Sequence, residues 1–151
     1  MEWCEVNGEL KRNRLVGSFS SKDETSIFCE VGNRLRNRTL YGPFAKLYKR
    51  DIIEKYGLRF PNDLRIGEDA AFVFSYSLHI SSFEASDTIL YFANIESEES
   101  LSRKKRPYLQ KDLLAGSEIM LKALSECSLS QETKKFFIMR LHGAIIEMCI
   151  P

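Results

Sequence analysis

The residues best suited to chemistry are two adjacent carboxylates, Glu68 and Asp69, within Arg65-Ile66-Gly67-Glu68-Asp69-Ala70-Ala71-Phe72-Val73-Phe74-Ser75-Tyr76. They follow a glycine and precede an apolar run, a pattern that predicts a loop entering a helix with both acids in its first turn. There a carboxylate is favoured by unpaired backbone N–H groups and by the positive end of the helix dipole. An aspartate so placed is expected to keep a low pKa and stay ionised. It can serve the helix end alone, or it can accept a proton from a reacting group. Upstream, Tyr41 to Tyr48 is largely apolar and aromatic with Gly42-Pro43 at its entrance, which predicts an extended segment that delivers Lys46 into a cleft. A flexible ammonium acts there as a point charge, towards phosphate, towards the acid-bearing loop or in a salt bridge.

Four pieces recur in a recognisable order: Lys46-Leu47-Tyr48-Lys49-Arg50, Leu58-Arg59-Phe60-Pro61-Asn62-Asp63-Leu64-Arg65-Ile66-Gly67-Glu68-Asp69, Leu90-Tyr91-Phe92 and Ser100-Leu101-Ser102. In this order they resemble the C-terminal half of inverting family 2 glycosyltransferases of the GT-A fold. The resemblance covers residues 46 to 102 and rests on the order of the pieces rather than on any one. It implies transfer of a sugar from a nucleotide-sugar donor to a glycan or lipid-linked acceptor, with inversion, in cell-surface polysaccharide synthesis. In that chemistry a carboxylate removes the acceptor hydroxyl proton as the oxygen attacks the anomeric carbon. The family's usual base is the aspartate of the Glu-Asp pair, which falls on Asp69, with Glu68 orienting the acceptor or supporting the loop. Lys46, Tyr48, Arg65 and Tyr91 are the implied substrate-binding positions. Tyr48 and Tyr91 would stack on a sugar face or simply pack, and packing is the favoured reading.

The family holds its donor diphosphate and a divalent cation, Mn or Mg, on a D-x-D motif. No D-x-D occurs in this sequence. The resemblance therefore implies the acceptor-side half of a longer enzyme, with no metal site or cofactor of its own and no activity alone. Two smaller departures are Phe44, where tryptophan or proline is common, and Leu90-Tyr91-Phe92-Ala93, which has one tyrosine fewer than the family pattern.

Composition sets the frame around these residues. A chain of 151 residues suits one domain with a modest core. A hydrophobic share of 44%, 28% charged residues and four prolines describe a globular protein. Net charge is +1, which argues against a dedicated nucleic-acid binder. Cys4, Cys29, Cys127 and Cys149 are too scattered for a C-x-x-C or zinc spacing and read as reduced thiols; His79 and His142 stand apart and read as structural. No apolar run approaches the ~20 residues that span a bilayer. Membrane contact would be peripheral, through Arg103-Lys104-Lys105-Arg106 at anionic head groups, and the expected location is cytoplasmic, at most at the inner face of the membrane. A homodimer is a further option.

The elements that must position the acids follow from periodicity. Glu2-Trp3-Cys4-Glu5-Val6, the turn dipeptide Asn7-Gly8 and Glu9-Leu10-Lys11 predict a β-hairpin. Residues 15–24 read as a polar loop interrupted by Phe19. Thr25 to Leu35 predicts a helix with Ile27, Phe28, Val31 and Leu35 on one face. Arg34, Arg36 and Arg38 alternate; in an extended segment they would share a side, either facing phosphate or solvated. Asp51 to Gly57 predicts a short helix closed by the glycine, and Glu68 to His79 a largely apolar one. Phe83-Glu84-Ala85 and residues 88–93 predict a strand pair. Pro107 predicts the start of a helix through Cys127, and Ser130 the start of another through Cys149. The fold class is thus α/β, a short mixed sheet with flanking helices and two C-terminal helices, divided into residues 1–106 and a helical hairpin at 107–151. The same elements also suit a noncatalytic α/β interaction module in which Glu68 and Asp69 only cap a helix.

Overall fold

The structure, a computed structural model, describes residues 3–6, 9–12, 18–36, 39–86, 92–93 and 109–139. Strands β1 (Trp3–Val6) and β2 (Glu9–Arg12) pair antiparallel, with Trp3 opposite Arg12 and Val6 opposite Glu9, which is the expected hairpin. Strand β3 is Phe19–Ser21, where the sequence suggests a loop. It pairs antiparallel with β4 (Phe83–Ala85), Phe19 facing Ala85, and the rings of Phe19 and Phe83 lie 5.7 Å apart. Cross-strand aromatic contact of this kind is what makes so short a pair worthwhile. Of the run expected to pair with Phe83–Ala85, only residues 92–93 are among the described residues, and these do not pair with it. Strand β5 (Phe92–Ala93) instead lies parallel to β1, giving a mixed sheet in the order β2-β1-β5. A parallel partner needs a long crossover, and among the described residues three helices lie between β1 and β5 to supply it.

Helix α1 (Glu24–Arg36) opens at Asp23, whose carboxylate accepts the Ser26 amide hydrogen at 2.8 Å while its carbonyl accepts that of Ile27. That bond holds the Asp23 carboxyl below its ordinary pKa. Ile27, Phe28, Val31 and Leu35 are all buried on one face, as their spacing predicts. Arg34 is in this helix rather than in an extended segment, so the alternating-arginine reading is overturned. Its guanidinium is buried, pairs with Glu30 one turn earlier at 2.7 Å and stacks over Phe83 at 5.3 Å. Arg36 ends the same helix, and Arg38 lies outside the described residues.

Helix α2 (Arg50–Lys55) is short, with no buried residue, and is closed as expected by Gly57, at φ +60°. The Gly57 amide reaches Glu54 O and that of Leu58 reaches Ile53 O, satisfying the last carbonyls. Helix α3 (Glu68–Ser77) is the central one: Ala71, Phe72, Val73, Phe74, Tyr76 and Ser77 are all buried. Helix α4 (Leu109–Glu126) packs on α3, burying Asp112, Gly116, Ser117, Met120 and Leu124. A fifth helical run, α5, covers residues 131–139, and its start is capped by Ser130, whose hydroxyl accepts the Thr133 amide hydrogen.

The core lies where α1, α3, α4 and α5 meet. Phe137 is fully buried and takes the edges of both Phe28 and Phe74 at 5.7 Å, in near-perpendicular contacts. Truncating Phe74 or Phe137 to alanine would cost about 3–5 kcal/mol. The α/β class read from the sequence is therefore seen. Among the described residues no helix is long and apolar enough to cross a membrane.

Candidate functional site

The acids stand where the buried helix α3 emerges. Gly67 is its N-cap, in the left-handed region at φ +86°, and its carbonyl accepts the Ala71 amide hydrogen at 2.9 Å. With glycine at the cap there is no side-chain cap, so neither carboxylate serves as one. Glu68 and Asp69 occupy the first two helical positions, both partly buried. The loop ahead of them is braced by α4. A Cβ on Gly116 would lie 3.6 Å from Leu64 Cδ1 and 3.8 Å from Gly67 O, so the α4 backbone passes directly against the turn that presents the acids.

Asp69 departs from the expected low pKa. Burial raises its carboxyl above the ordinary aspartate value, and the neighbouring Glu68 carboxylate adds to the rise. Loss of hydration here outweighs the helix dipole, which falls off quickly and is screened at a surface. Among the described residues no hydrogen bond or ion pair engages Asp69 or Glu68. An ionised carboxylate of raised pKa with no partner is a better proton acceptor than a capped one.

An aromatic cluster lies beneath Asp69. Asp69, Phe72 and Tyr76 are at i, i+3 and i+7 and so share one side of α3. Tyr48 packs edge-on against both rings, 5.6 Å from Phe72 and 4.9 Å from Tyr76. Its hydroxyl donates to Pro43 O at 3.3 Å. Burial, with the neighbouring Tyr76 and Asp69, drives the Tyr48 phenol well above its usual pKa and keeps it neutral. Tyr48 is thus a packing residue close to the acid, in line with the favoured reading. Phe60 stacks face-on over Phe72 at 4.2 Å.

Lys46 is placed differently from the expectation. Residues 41–45 turn rather than extend, with Ala45 at φ +55°, and the Lys46 ammonium curls back onto its own loop. It donates to Gly42 O at 2.6 Å and Phe44 O at 3.2 Å and lies 5.7 Å from the centre of the Phe44 ring. The turn brings the Gly42 and Phe44 carbonyls within reach of the ammonium, and the chain closes a small ring instead of reaching a cleft. Arg65 is exposed, two residues ahead of the cap. Tyr91, Ser100-Leu101-Ser102 and Arg103 to Arg106 lie outside the described residues. Asp69 and Tyr48 are therefore brought together, and Lys46 is held by its own loop.

Sequence reasoning passed over Phe60, which enters only as one residue of the ordered pieces, and Tyr76, which falls within a largely apolar helix. The spacing of Asp69, Phe72 and Tyr76 carried the signal for one. The Phe60 contact spans a turn that no periodicity encodes. Among the described residues no group of histidine, cysteine, aspartate and glutamate side chains is arranged to hold a metal ion. Comparison with protein-family models, with curated proteins and with solved structures gives no match.

Proposed function

We propose that this chain forms the acceptor-side part of an inverting glycosyltransferase of GT-A type, with Asp69 as the general base. The observation that carries the reading is the state of Asp69: partly buried, raised in pKa, and engaged by no cap or ion pair among the described residues. The reading also draws on the ordered resemblance from Lys46 to Ser102. In the reaction, the acceptor hydroxyl transfers its proton to an Asp69 carboxylate oxygen. The freed oxygen attacks the anomeric carbon from the face opposite the departing nucleoside diphosphate, so the configuration inverts. Glu68 accepts a second acceptor hydroxyl and raises the basicity of its neighbour. Tyr48, Phe72 and Tyr76 keep water from one side of the carboxylate.

The divalent cation that the resemblance implies does not fit these residues. The sequence has no D-x-D and the described residues have no ligand cluster, so no step is routed through a metal here. Lys46, held by Gly42 O and Phe44 O, secures its loop. In this proposal the donor nucleotide-sugar is held by sequence outside this chain, and the acceptor is a glycan or a lipid-linked sugar.

The test is sugar transfer by the complete gene product against a panel of nucleotide sugars. Asp69→Asn is expected to lower the rate by about 10²–10⁴-fold with folding intact. The 151-residue chain alone is expected to show no turnover, and turnover would refute the half-enzyme reading. A second reading, a noncatalytic interaction module, is favoured by the exposed apolar side chains Leu114 and Leu121, seven residues apart on α4. An unchanged rate in Asp69→Asn selects the module.

A further inference from the structure

Next to the proposed base is an aromatic surface that proton transfer does not use. Phe60 lies face-on to Phe72, with 16° between the ring planes. Phe72 is buried beneath it, 6% exposed, whereas Phe60 remains 42% exposed. With one face covered, the exposure of Phe60 falls on its opposite face and its edge. The ring is also held in place. Arg59 donates to Leu58 O at 2.7 Å and pairs with Glu54 of α2 at 3.3 Å, and the Leu58 amide is bonded to Ile53 O. Pro61 follows and fixes the chain on the other side. Phe72 in turn is gripped at its edge by Tyr48. Phe60 is thus a platform stacked on a buried ring, and that support, Phe72, is one helical turn from Asp69 on the same side of α3.

An open aromatic face, stacked on a ring one helical turn from a partly buried carboxylate, matches the two-sided chemistry of a pyranose ring. The axial C–H groups of such a ring form a weakly positive, apolar face suited to the negative face of a π system. Its hydroxyls, around the rim, are donors suited to a carboxylate. We propose that the outer face of Phe60 is an acceptor subsite that stacks the C–H face of a pyranose and so sets one of its hydroxyls against Asp69. The assignment rests on the transferase reading for the role of Asp69, but the stacking itself can be judged apart from it. A ring already stacked loses little freedom when a sugar settles on it, so the contact orients the acceptor at small entropic cost.

The test is saturation-transfer NMR and titration of the chain with methyl β-glucopyranoside, methyl β-galactopyranoside and the methyl glycoside of N-acetylglucosamine, with uridine as the competing flat ligand. The wild-type chain is expected to bind at least one glycoside, with transfer concentrated on the ring C–H protons and shifts at Phe60. Phe60→Leu is expected to weaken that binding by about two- to tenfold, the range of one aromatic contact, and Phe60→Tyr, which keeps the ring face, to retain it. Unchanged affinity in Phe60→Leu, the absence of glycoside binding in the wild type, or uridine binding at Phe60 in preference to every glycoside would overturn the subsite. If Asp69→Asn abolishes transfer by the gene product while Phe60→Leu leaves glycoside affinity unchanged, the subsite falls and the base stands. If glycosides bind through Phe60 and Asp69→Asn leaves transfer intact, the subsite stands and the base falls.

Discussion

The hydroxyl of Tyr76 accepts the amide hydrogen of Lys49 at 2.7 Å, joining the penultimate residue of α3 to the residue that precedes α2 across 27 positions of sequence. The bond fixes the chain that carries Tyr48 against the helix that carries Asp69. Tyr48 then meets the Tyr76 ring edge-on at 4.9 Å, so one tyrosine serves as both hydrogen-bond acceptor and packing surface.

Tyr76→Phe separates the two roles. The ring contacts survive and the Lys49 amide loses its partner, so stability is expected to fall by about 1 kcal/mol, near the net worth of one such bond. Urea unfolding with an unchanged m-value would check it. No change in the midpoint would mean that water replaces the hydroxyl without loss.

Asp69→Asn is expected to stabilise the fold at neutral pH. The folded pKa of Asp69 lies above its unfolded value of 3.8, so the folded state holds the proton more tightly than the unfolded chain. Stability from this group is fully present below pH 3.8 and is lost as pH rises through the folded pKa. Above that window the ionised carboxylate is a liability that asparagine removes. Thermal unfolding followed against pH should show the variant above wild type at pH 7, with the gap closing as pH approaches 3.8. A variant less stable at pH 7 would show that the carboxylate has a stabilising partner in solution. Higher stability with lost transfer is the expected signature of a base that evolved against the interest of the fold.

Most of the helical frame was legible because burial and periodicity agree in it. Ile27, Phe28, Val31 and Leu35 announce one face of α1, and Gly57 and Ser130 mark ends that the structure places as read. The strands were less legible. Phe19–Ser21 is three residues long and polar at two of them, and it is a strand only because Phe83 lies across from it. Arg34 was misread for the same reason: its pattern with Arg36 and Arg38 looks like solvent-facing charge, whereas Glu30 and Phe83, one local and one distant, make burial affordable. Within the candidate site, the position of Asp69 could be read from Gly67 and the apolar run behind it. Its raised pKa and the inward curl of Lys46 depend on neighbours brought together by turns, which leave no periodic trace.

His79 gives the fold a second pH dependence, opposite in sign. Its ring stacks on Tyr56 at 3.7 Å with the planes 6° apart, and Lys55 lies 5.0 Å over the other partner of that stack. Burial, aided by the Lys55 charge, holds the His79 pKa below its ordinary 6.5. The unfolded chain therefore binds the proton more readily. Stability from the neutral ring is present above pH 6.5 and is lost as pH falls below that value to the folded pKa. His79→Phe, which keeps the stack and cannot be protonated, is expected to remove this loss as pH falls below 6.5. Identical pH profiles for variant and wild type below that value would rule it out.

Asp112 is the buried group with the least support. It is 8% exposed, on the face of α4 turned to α3, and its Oδ2 atom has no hydrogen-bond partner. A buried polar atom without a partner costs about 1–3 kcal/mol, offset in part here because Asp112 is in the first turn of its helix, where the dipole favours negative charge by about 0.3–1 kcal/mol. The penalty exceeds the offset. Asp112→Leu, which gives the α3–α4 contact an apolar side chain and withdraws the orphaned oxygen, is expected to raise the urea midpoint by an amount equivalent to about 1 kcal/mol. Gly116, one turn further on, must stay unchanged in the experiment, since it sets how closely α4 approaches Leu64 and the Gly67 carbonyl. A fall in the midpoint would mean that the carboxylate finds a donor in solution.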